Sequence, residues 1–169
     1  MKDMLIRAIL PADDAAIAKI IRDVLSEFGA NKPGTAYYDS TTDSLSELFT
    51  RTGSIYYVAI HNNQLIGGAG IFPSDGLAPD TCELVKMYLS PQARGRGLGR
   101  LLIEKALSFA TQYGYRYVYL ETMPELNRAM KIYEKFGFEY LDGPLGNTGH
   151  FGCNRWMLKK LPAARDSNN

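Results

Sequence analysis

The chain has 169 residues, a hydrophobic content of 46% and a formal net charge of +1. This length allows one well-buried domain. The near-neutral charge argues against a general affinity for nucleic acid or for anionic membranes. Cys82 and Cys153 lack C-x-x-C spacing, so neither a disulfide framework nor a zinc site is indicated. Without a signal peptide or a run of about 18 apolar residues, the sequence predicts a cytoplasmic protein.

The first half of the chain shows alternating strand and helix patterns. Apolar residues recur at helical spacing from Ile17 to Phe28, and Gly29 then ends the pattern. Between Ile60 and Leu65, His61-Asn-Asn-Gln64 is typical of a hairpin turn. The predicted elements are a strand at 4–9, a helix at 11–28, an irregular loop at 30–43, a short helix near 44–51, and strands at 54–60, 65–72 and 82–89.

The second half continues the alternation. Thr122-Met-Pro-Glu125 has the pattern of a capping box with proline in the first turn, which predicts a helix from there to about Phe136. The other predicted elements are a helix at 98–113 and strands at 117–121, 138–141 and 155–160, the last two flanking a loop at 142–154. The order predicts an α/β domain over 1–162, a mixed sheet covered by helices, with a disordered tail at 163–169.

A glycine-rich segment separates the strand at 82–89 from the helix at 98–113. Glycines at 95, 97 and 99 let backbone N–H groups approach an anion, and the helix N-terminus adds positive charge. The spacing is neither G-x-G-x-x-G nor a Walker loop, so a dinucleotide or P-loop site is not indicated. The segment predicts a phosphate or pyrophosphate cradle. On its own, a glycine-rich turn with surface arginines explains it equally well.

Two motifs in register carry a family resemblance. Arg94-x-x-Gly97-x-Gly99 after a strand resembles the acetyl-CoA pyrophosphate loop of the GNAT superfamily of N-acetyltransferases. Asn127-x-Ala129-x-x-x-Tyr133-x-Lys135-x-Gly137-Phe138 resembles the second signature of that superfamily, and the spacing between the motifs also matches. The resemblance implies a mixed, mostly antiparallel sheet flanked by helices and splayed at its central parallel strands. It also implies acetyl-CoA as co-substrate.

The resemblance further implies which residues hold acetyl-CoA. The pantetheine amides would add to the backbone of the strand that ends at Leu89, as an extra strand does. Asn127 resembles the asparagine that hydrogen-bonds the pantetheine arm or the reaction centre; its alternative is a helix-surface amide. The implied cofactor-binding residues are Met87, Tyr88, Leu89, Arg94, Gly95, Arg96, Gly97, Leu98, Gly99, Arg100 and Asn127.

Two side chains are candidates for proton transfer. Strand alternation predicts that Glu83 shares a face with Val85, Met87 and Leu89, where desolvation would raise its pKa toward that of a useful general base. The alternative is a glutamate at the strand start that reaches solvent. Related superfamily members often carry a base glutamate on this strand, acting directly or through water.

Tyr133 is the candidate general acid. It follows Leu126 by seven residues, on the predicted buried face of its helix, and matches the superfamily's tyrosine position. A phenol directed at the cofactor sulfur could protonate the departing thiolate. The alternative is a core tyrosine whose hydroxyl bonds a carbonyl.

The acceptor site is predicted from two irregular loops. Tyr38 and Asp39 in the loop at 30–43, and His150 in the glycine-rich loop at 142–154, are the candidate substrate-binding residues. Asp39 could hold a cationic amine or cap the following helix. The spacing of His150 and Cys153 suggests either a metal site or a catalytic nucleophile. No other ligand cluster in the sequence supports this, so no metal is predicted.

The predicted function is acetyl transfer from acetyl-CoA to a small primary amine, in a monomer or homodimer without nucleic-acid or membrane partners. The loops at 30–43 and 142–154 are expected to close over the ligand, which favours a small or amino-acid-like acceptor. The alternatives are a protein acetyltransferase acting on N-termini or lysines, which would present an open groove, and a non-catalytic acyl-CoA sensor.

Overall fold

The computed structural model describes residues 4–163, which form a seven-stranded sheet covered by helices on both faces. Short 3₁₀ turns precede several helices. The strands are β1 (Met4–Ala8), β2 (Ile55–His61), β3 (Gln64–Phe72), β4 (Thr81–Leu89), β5 (Tyr117–Thr122), β6 (Glu139–Leu141) and β7 (Arg155–Lys160). The helices are α1 (Asp14–Glu27), α2 (Leu45–Leu48), α3 (Leu98–Tyr113) and α4 (Asn127–Lys135).

The sheet has the order β1-β2-β3-β4-β5-β7-β6, and β4/β5 is its one parallel pair among the described strands. These two strands pair only from Thr81 to Glu83 of β4. Beyond that point β4 runs to Leu89 beside β3, while β5 stays paired with β7. The predicted mostly antiparallel sheet, splayed at its central parallel strands, is therefore confirmed.

A β-bulge in β4 changes which side chains face the splay. Val85 pairs with Gly70 and Tyr88 with Gly68, so β4 carries one extra residue there. Lys86 adopts a positive φ of 50°, and the Tyr56 hydroxyl donates a 2.7 Å hydrogen bond to its carbonyl.

The bulge overturns part of the predicted strand alternation. Val85 packs on the α1 side of the sheet, whereas Met87 and Leu89 pack with Leu84 on the α3 side. The expectation that Glu83, Val85, Met87 and Leu89 share one face is therefore wrong beyond Val85. The physical reason is that an inserted residue reverses every later side chain.

Each face of the sheet carries its own apolar core. On one face, α3 buries its apolar stripe, which includes the fully buried Leu102, Ile103 and Ala106. On the other, α1 buries Ile17 and Ile21. Burial of each such leucine or isoleucine side chain contributes about 1.5–3 kcal/mol, so the sheet is held firmly between these helices and can position a site at its splayed edge.

Gly29 follows α1 as predicted, glycines flank α3, and one predicted helix start is wrong. Gly97 (φ 75°) precedes α3 and Gly114 (φ 109°) ends it. The capping box predicted at Thr122 is wrong: Thr122 remains in β5, paired with Arg155, and Met123 leads into a 3₁₀ turn without a side-chain cap. Sheet pairing of Thr122 thus takes precedence over the local cap.

Two further expectations concern the ends of the chain and membranes. Of the predicted tail, residues 164–169 lie outside the described residues. Within 4–163, none of the helices has the length and apolar content needed to cross a bilayer.

Candidate active site

A cavity of about 720 Å³ opens where β4 and β5 part. Residues of β4 from Glu83 to Leu89 form one wall, and residues 120–123 at the end of β5 form another. Helix α4 and the glycine-rich segment before α3 complete the cavity. One continuous space therefore joins that segment to the buried strand residues predicted to do chemistry.

The glycine-rich end of the cavity has open backbone. Gly95 and Gly97 have φ of 73° and 75°, and a Cβ on either would meet no atom within 4 Å. At Gly99 a Cβ would lie 3.3 Å from side-chain atoms of Leu89 and Met87. Space above the backbone, positive φ and the start of α3 together fit a phosphate ester at this end.

The three arginines of this segment point to different places. Arg94 lines the cavity but pairs with Glu27 at 2.7 and 2.8 Å, and its Nε donates to the Leu89 carbonyl at 3.2 Å. Arg100 also lines the cavity, and its Nε donates to Glu104 at 2.7 Å. Arg96 is exposed and lines a separate depression, away from the main cavity.

Tyr133 projects from α4 into the cavity and is 7% exposed. Within the described residues its hydroxyl has no hydrogen-bond partner, although its ring packs edge-on to Phe138. Burial raises the pKa of Tyr133 well above its ordinary value, so the phenol keeps its proton at neutral pH. A protonated donor is therefore available. Asn127 begins α4, is exposed, and is not among the cavity-lining residues.

Glu83 lies where the parallel pairing ends and is only 2% exposed. The Ser74 hydroxyl donates a hydrogen bond to Oε2. The other oxygen, Oε1, lies 3.9 Å from Nδ1 of His150. The carboxylate is thus buried and lines the cavity, which excludes the alternative of a strand-start glutamate that reaches solvent.

His150 joins four charged side chains into a group that we call the charge cluster: Glu83, Glu121, Asp39, Lys86 and His150. Its Nδ1 lies 3.9 Å from both Glu83 Oε1 and Glu121 Oε2, and its Nε2 lies 3.6 Å from Asp39 Oδ2. Burial opposes the charge on the imidazole, but Asp39 and Glu83 outweigh it and raise the pKa of His150 to about 9. His150 is therefore a cation at neutral pH.

Glu121 is a member of this cluster that sequence reasoning missed. The Tyr119 hydroxyl donates to Oε1 at 2.8 Å and the Thr148 hydroxyl to Oε2 at 2.6 Å. Burial, and more weakly the charge of Glu83, raises the pKa of Glu121. The sequence does place Glu121 at the end of a predicted strand. That this strand runs parallel to β4, and so brings the Glu121 and Glu83 side chains together, is visible only in the structure.

Of the two alternatives that the sequence left open for Asp39, the structure shows the capping role, and binding of a cationic amine stays a prediction. Asp39 accepts from the Thr41 backbone N–H at 2.9 Å, which caps the following 3₁₀ turn, and it pairs with Lys86 Nζ at 3.0 Å. His150, Lys86 and Thr41 together hold the pKa of Asp39 well below its ordinary value. Tyr38, by contrast, is 63% exposed and does not line the cavity.

The two acceptor loops contact each other beside this cluster. The Gly152 N–H donates to the Gly34 carbonyl at 2.9 Å, and Phe151 packs against Gly34. Glu83, Glu121 and His150 also present one ligand atom each within 4.8 Å of one another, a spacing that a metal ion could use. That the site holds no metal stays a prediction.

Comparison with known proteins identifies the family. Residues 18–138 match the Acetyltransferase (GNAT) family. The uncharacterized N-acetyltransferase YjgM of Escherichia coli is 40% identical over 151 residues, covering 88% of this chain and 90% of that protein.

Solved structures share the fold. An acetyltransferase of the GNAT family from Staphylococcus aureus Mu50 aligns with a TM-score of 0.81 at 19% identity, covering 94% of this chain and 99% of its own. The PaiA N-acetyltransferase of Thermoplasma acidophilum, solved in complex with coenzyme A, aligns with a TM-score of 0.73 at 18% identity, covering 94% of this chain and 99% of its own. The chain belongs to the GNAT family and is an enzyme of the N-acetyltransferase class.

Proposed function

We propose that this enzyme transfers acetyl from acetyl-CoA to the primary amine of a small or amino-acid-like molecule, by direct attack in a ternary complex. The main support is that a single cavity of about 720 Å³ joins the open glycine backbone to the charge cluster. That volume lies within the range of ordinary small-molecule sites. Donor and acceptor can therefore occupy one space without an acetylated protein intermediate.

The donor is proposed to lie along the splay. Its pyrophosphate would approach the backbone at Gly95 and Gly97, where no side chain intervenes. Its pantetheine amides would pair with the backbone of Met87 to Leu89, because β4 has no β5 partner beyond Glu83. This arrangement directs the thioester toward Glu83 and Tyr133 in the same cavity.

The chemistry needs one base and one acid. Glu83 takes a proton from the ammonium group, and the neutral amine attacks the thioester carbonyl carbon. A C–N bond forms and the C–S bond breaks; the Tyr133 hydroxyl gives its proton to the thiolate, and the second proton of the acylated nitrogen then restores the phenol. General acid and base groups of this kind contribute about 10²–10⁴-fold each, and holding both substrates in contact supplies the rest of the acceleration.

A small acceptor is favoured over a protein segment by the loop contact. The Gly34–Gly152 hydrogen bond and the packing of Phe151 on Gly34 join the two loops at the acceptor end, which narrows access for a polypeptide. The test is thiol release from acetyl-CoA with a panel of small amines and a panel of short peptides. Turnover of small amines is expected; turnover of peptides alone would overturn the proposed acceptor class, and release with neither would overturn the function.

A further inference from the structure

The acceptor end of the cavity carries more negative than positive charge. Glu83, Glu121 and Asp39 are three carboxylates, against which stand the cations Lys86 and His150. With His150 protonated, the cluster has a net charge of −1. An acceptor must fit this charge as well as the shape of the cavity.

Neither cation of the cluster is free to bind an anionic acceptor. Lys86 Nζ lies 3.0 Å from Asp39 with its side chain only 4% exposed, and the same Asp39 oxygen faces His150. Arg94 and Arg100 line the glycine-rich end instead and are paired with Glu27 and Glu104. Both cations of the charge cluster therefore have a carboxylate neighbour, whereas Arg128 and Lys135 line the cavity from α4, outside the cluster.

The spacing of the carboxylates suits an ammonium group. The contacts of 3.9 Å from His150 to Glu83 and Glu121 are too long for hydrogen bonds. The ligand atoms of the three residues lie within 4.8 Å of one another. A nitrogen about 2.8 Å from each of two carboxylate oxygens can bridge oxygens up to about 5.6 Å apart. One ammonium nitrogen can therefore hydrogen-bond Glu83 and Glu121 together.

An ammonium group at that position competes with the proton of His150. The charged groups that face His150 are Glu83 and Lys86 from β4, Glu121 from β5, and Asp39 from the loop at 30–43. If the amine binds and His150 loses its proton, the net charge is unchanged. A carboxylate beside the amine would add a negative charge next to Glu83 and Glu121, where both cations of the cluster are already paired, and this is costly in a buried site.

We propose that the acceptor is a cationic amine with no carboxylate beside its ammonium group, and that this group binds between Glu83 and Glu121 by displacing the proton of His150. The inference rests on the proposed function and specifies the acceptor of that same site. It excludes free α-amino acids and retains their amides and simple alkyl or aralkyl amines.

The first test compares amines that differ only in the carboxylate. L-Phenylalanine with 2-phenylethylamine and L-leucine with 3-methylbutylamine are such pairs, assayed by thiol release from acetyl-CoA with the wild-type enzyme. The amine of each pair should have a kcat/KM at least about tenfold higher, which corresponds to about 1.4 kcal/mol. Equal or better use of the amino acids would overturn the inference while leaving the proposed function intact.

The second test does not depend on turnover. The chain has two histidines, His61 and His150, so His150→Gln assigns the imidazole signals in a proton NMR titration. The amine should lower the pKa of His150 by about one or more, since it competes with the proton, and the matching amino acid should not. No effect of any amine overturns the inference. A shift of the His150 imidazole signals by micromolar Zn²⁺ alone would also overturn the inference, since the cluster would then be a metal site.

Glu121→Gln tests the carboxylate directly. It should abolish the preference for amines over amino acids, because one of the two bridging charges is removed. Thr148→Val is the matched control: it removes the hydroxyl that donates to Glu121 but no charge, and should keep the preference. Acetyl-CoA affinity by calorimetry checks that each variant is folded. The same loss of preference in both variants would overturn the role of the Glu121 charge.

Discussion

At the scale of single residues, Tyr133 allows catalysis to be separated from packing. Its hydroxyl has no protein partner within residues 4–163, so Tyr133→Phe should leave the fold and acetyl-CoA affinity nearly unchanged. Loss of the proton donor should lower kcat by about 10²-fold. Steady-state kinetics and calorimetry measure the two effects. Tyr88 is the competing phenol in the same cavity, and a larger kcat loss in Tyr88→Phe would assign the acid there instead.

The role of Glu83 is tested by a pH profile. Glu83→Gln should lower kcat/KM and flatten the acidic limb, because that limb reports the base of the free enzyme. Partial recovery at high pH is expected, since more of the amine is then neutral. An acidic limb identical to that of the wild-type enzyme would mean that the proton leaves by another route. Glu121, whose carboxylate lines the same cavity, is the first alternative.

At the scale of elements, the start of α3 should control cofactor binding. Gly97→Ala places a Cβ in the open space where the pyrophosphate must approach, so acetyl-CoA affinity should fall at least about tenfold, or about 1.4 kcal/mol. Gly114→Ala is the matched control at the other end of the same helix, also at positive φ and with open space around its Cβ. Both variants carry backbone strain; equal affinities by calorimetry would contradict the cradle assignment.

The elements were predictable where one local pattern determines them. Helix α3 spans the predicted residues 98–113, because apolar periodicity and the flanking Gly97 and Gly114 act within that one segment. Strand β7 also spans its predicted residues 155–160. The face reversal at Lys86 was not predictable, since the bulge depends on Gly68, Gly70 and Tyr56 in other strands. Thr122 likewise follows its pairing with β7 rather than its local capping pattern.

The same distinction holds for the candidate site. The open backbone at Gly95 and Gly97 and the buried Tyr133 follow from motifs within single segments. Glu121 and the position of His150 do not, because they come together only through the β4/β5 register and the path of the loop at 142–154. Sequence patterns locate strand ends but not the side chains that meet across them.

At the scale of the whole molecule, the His150 charge links stability to pH. The folded pKa of about 9 exceeds the ordinary value of 6.5, so the imidazolium contributes stability that is complete below 6.5 and is lost as pH rises through 9. The free energy of unfolding of the wild-type protein minus that of His150→Gln should therefore decrease across this window. Urea unfolding of both proteins at several pH values measures it. A difference that grows with pH would contradict the assignment of a charged His150.

The central claim is that one cavity holds donor and acceptor together, so that the amine attacks the thioester directly. Cys153 lines this cavity, but burial raises the pKa of its thiol to about 12, which disfavours an acetyl-cysteine intermediate. The most direct measurement is the initial-velocity pattern with acetyl-CoA and a small amine varied together. Intersecting double-reciprocal lines are predicted. Parallel lines, accompanied by an acetylated protein after incubation with acetyl-CoA alone, would contradict the account.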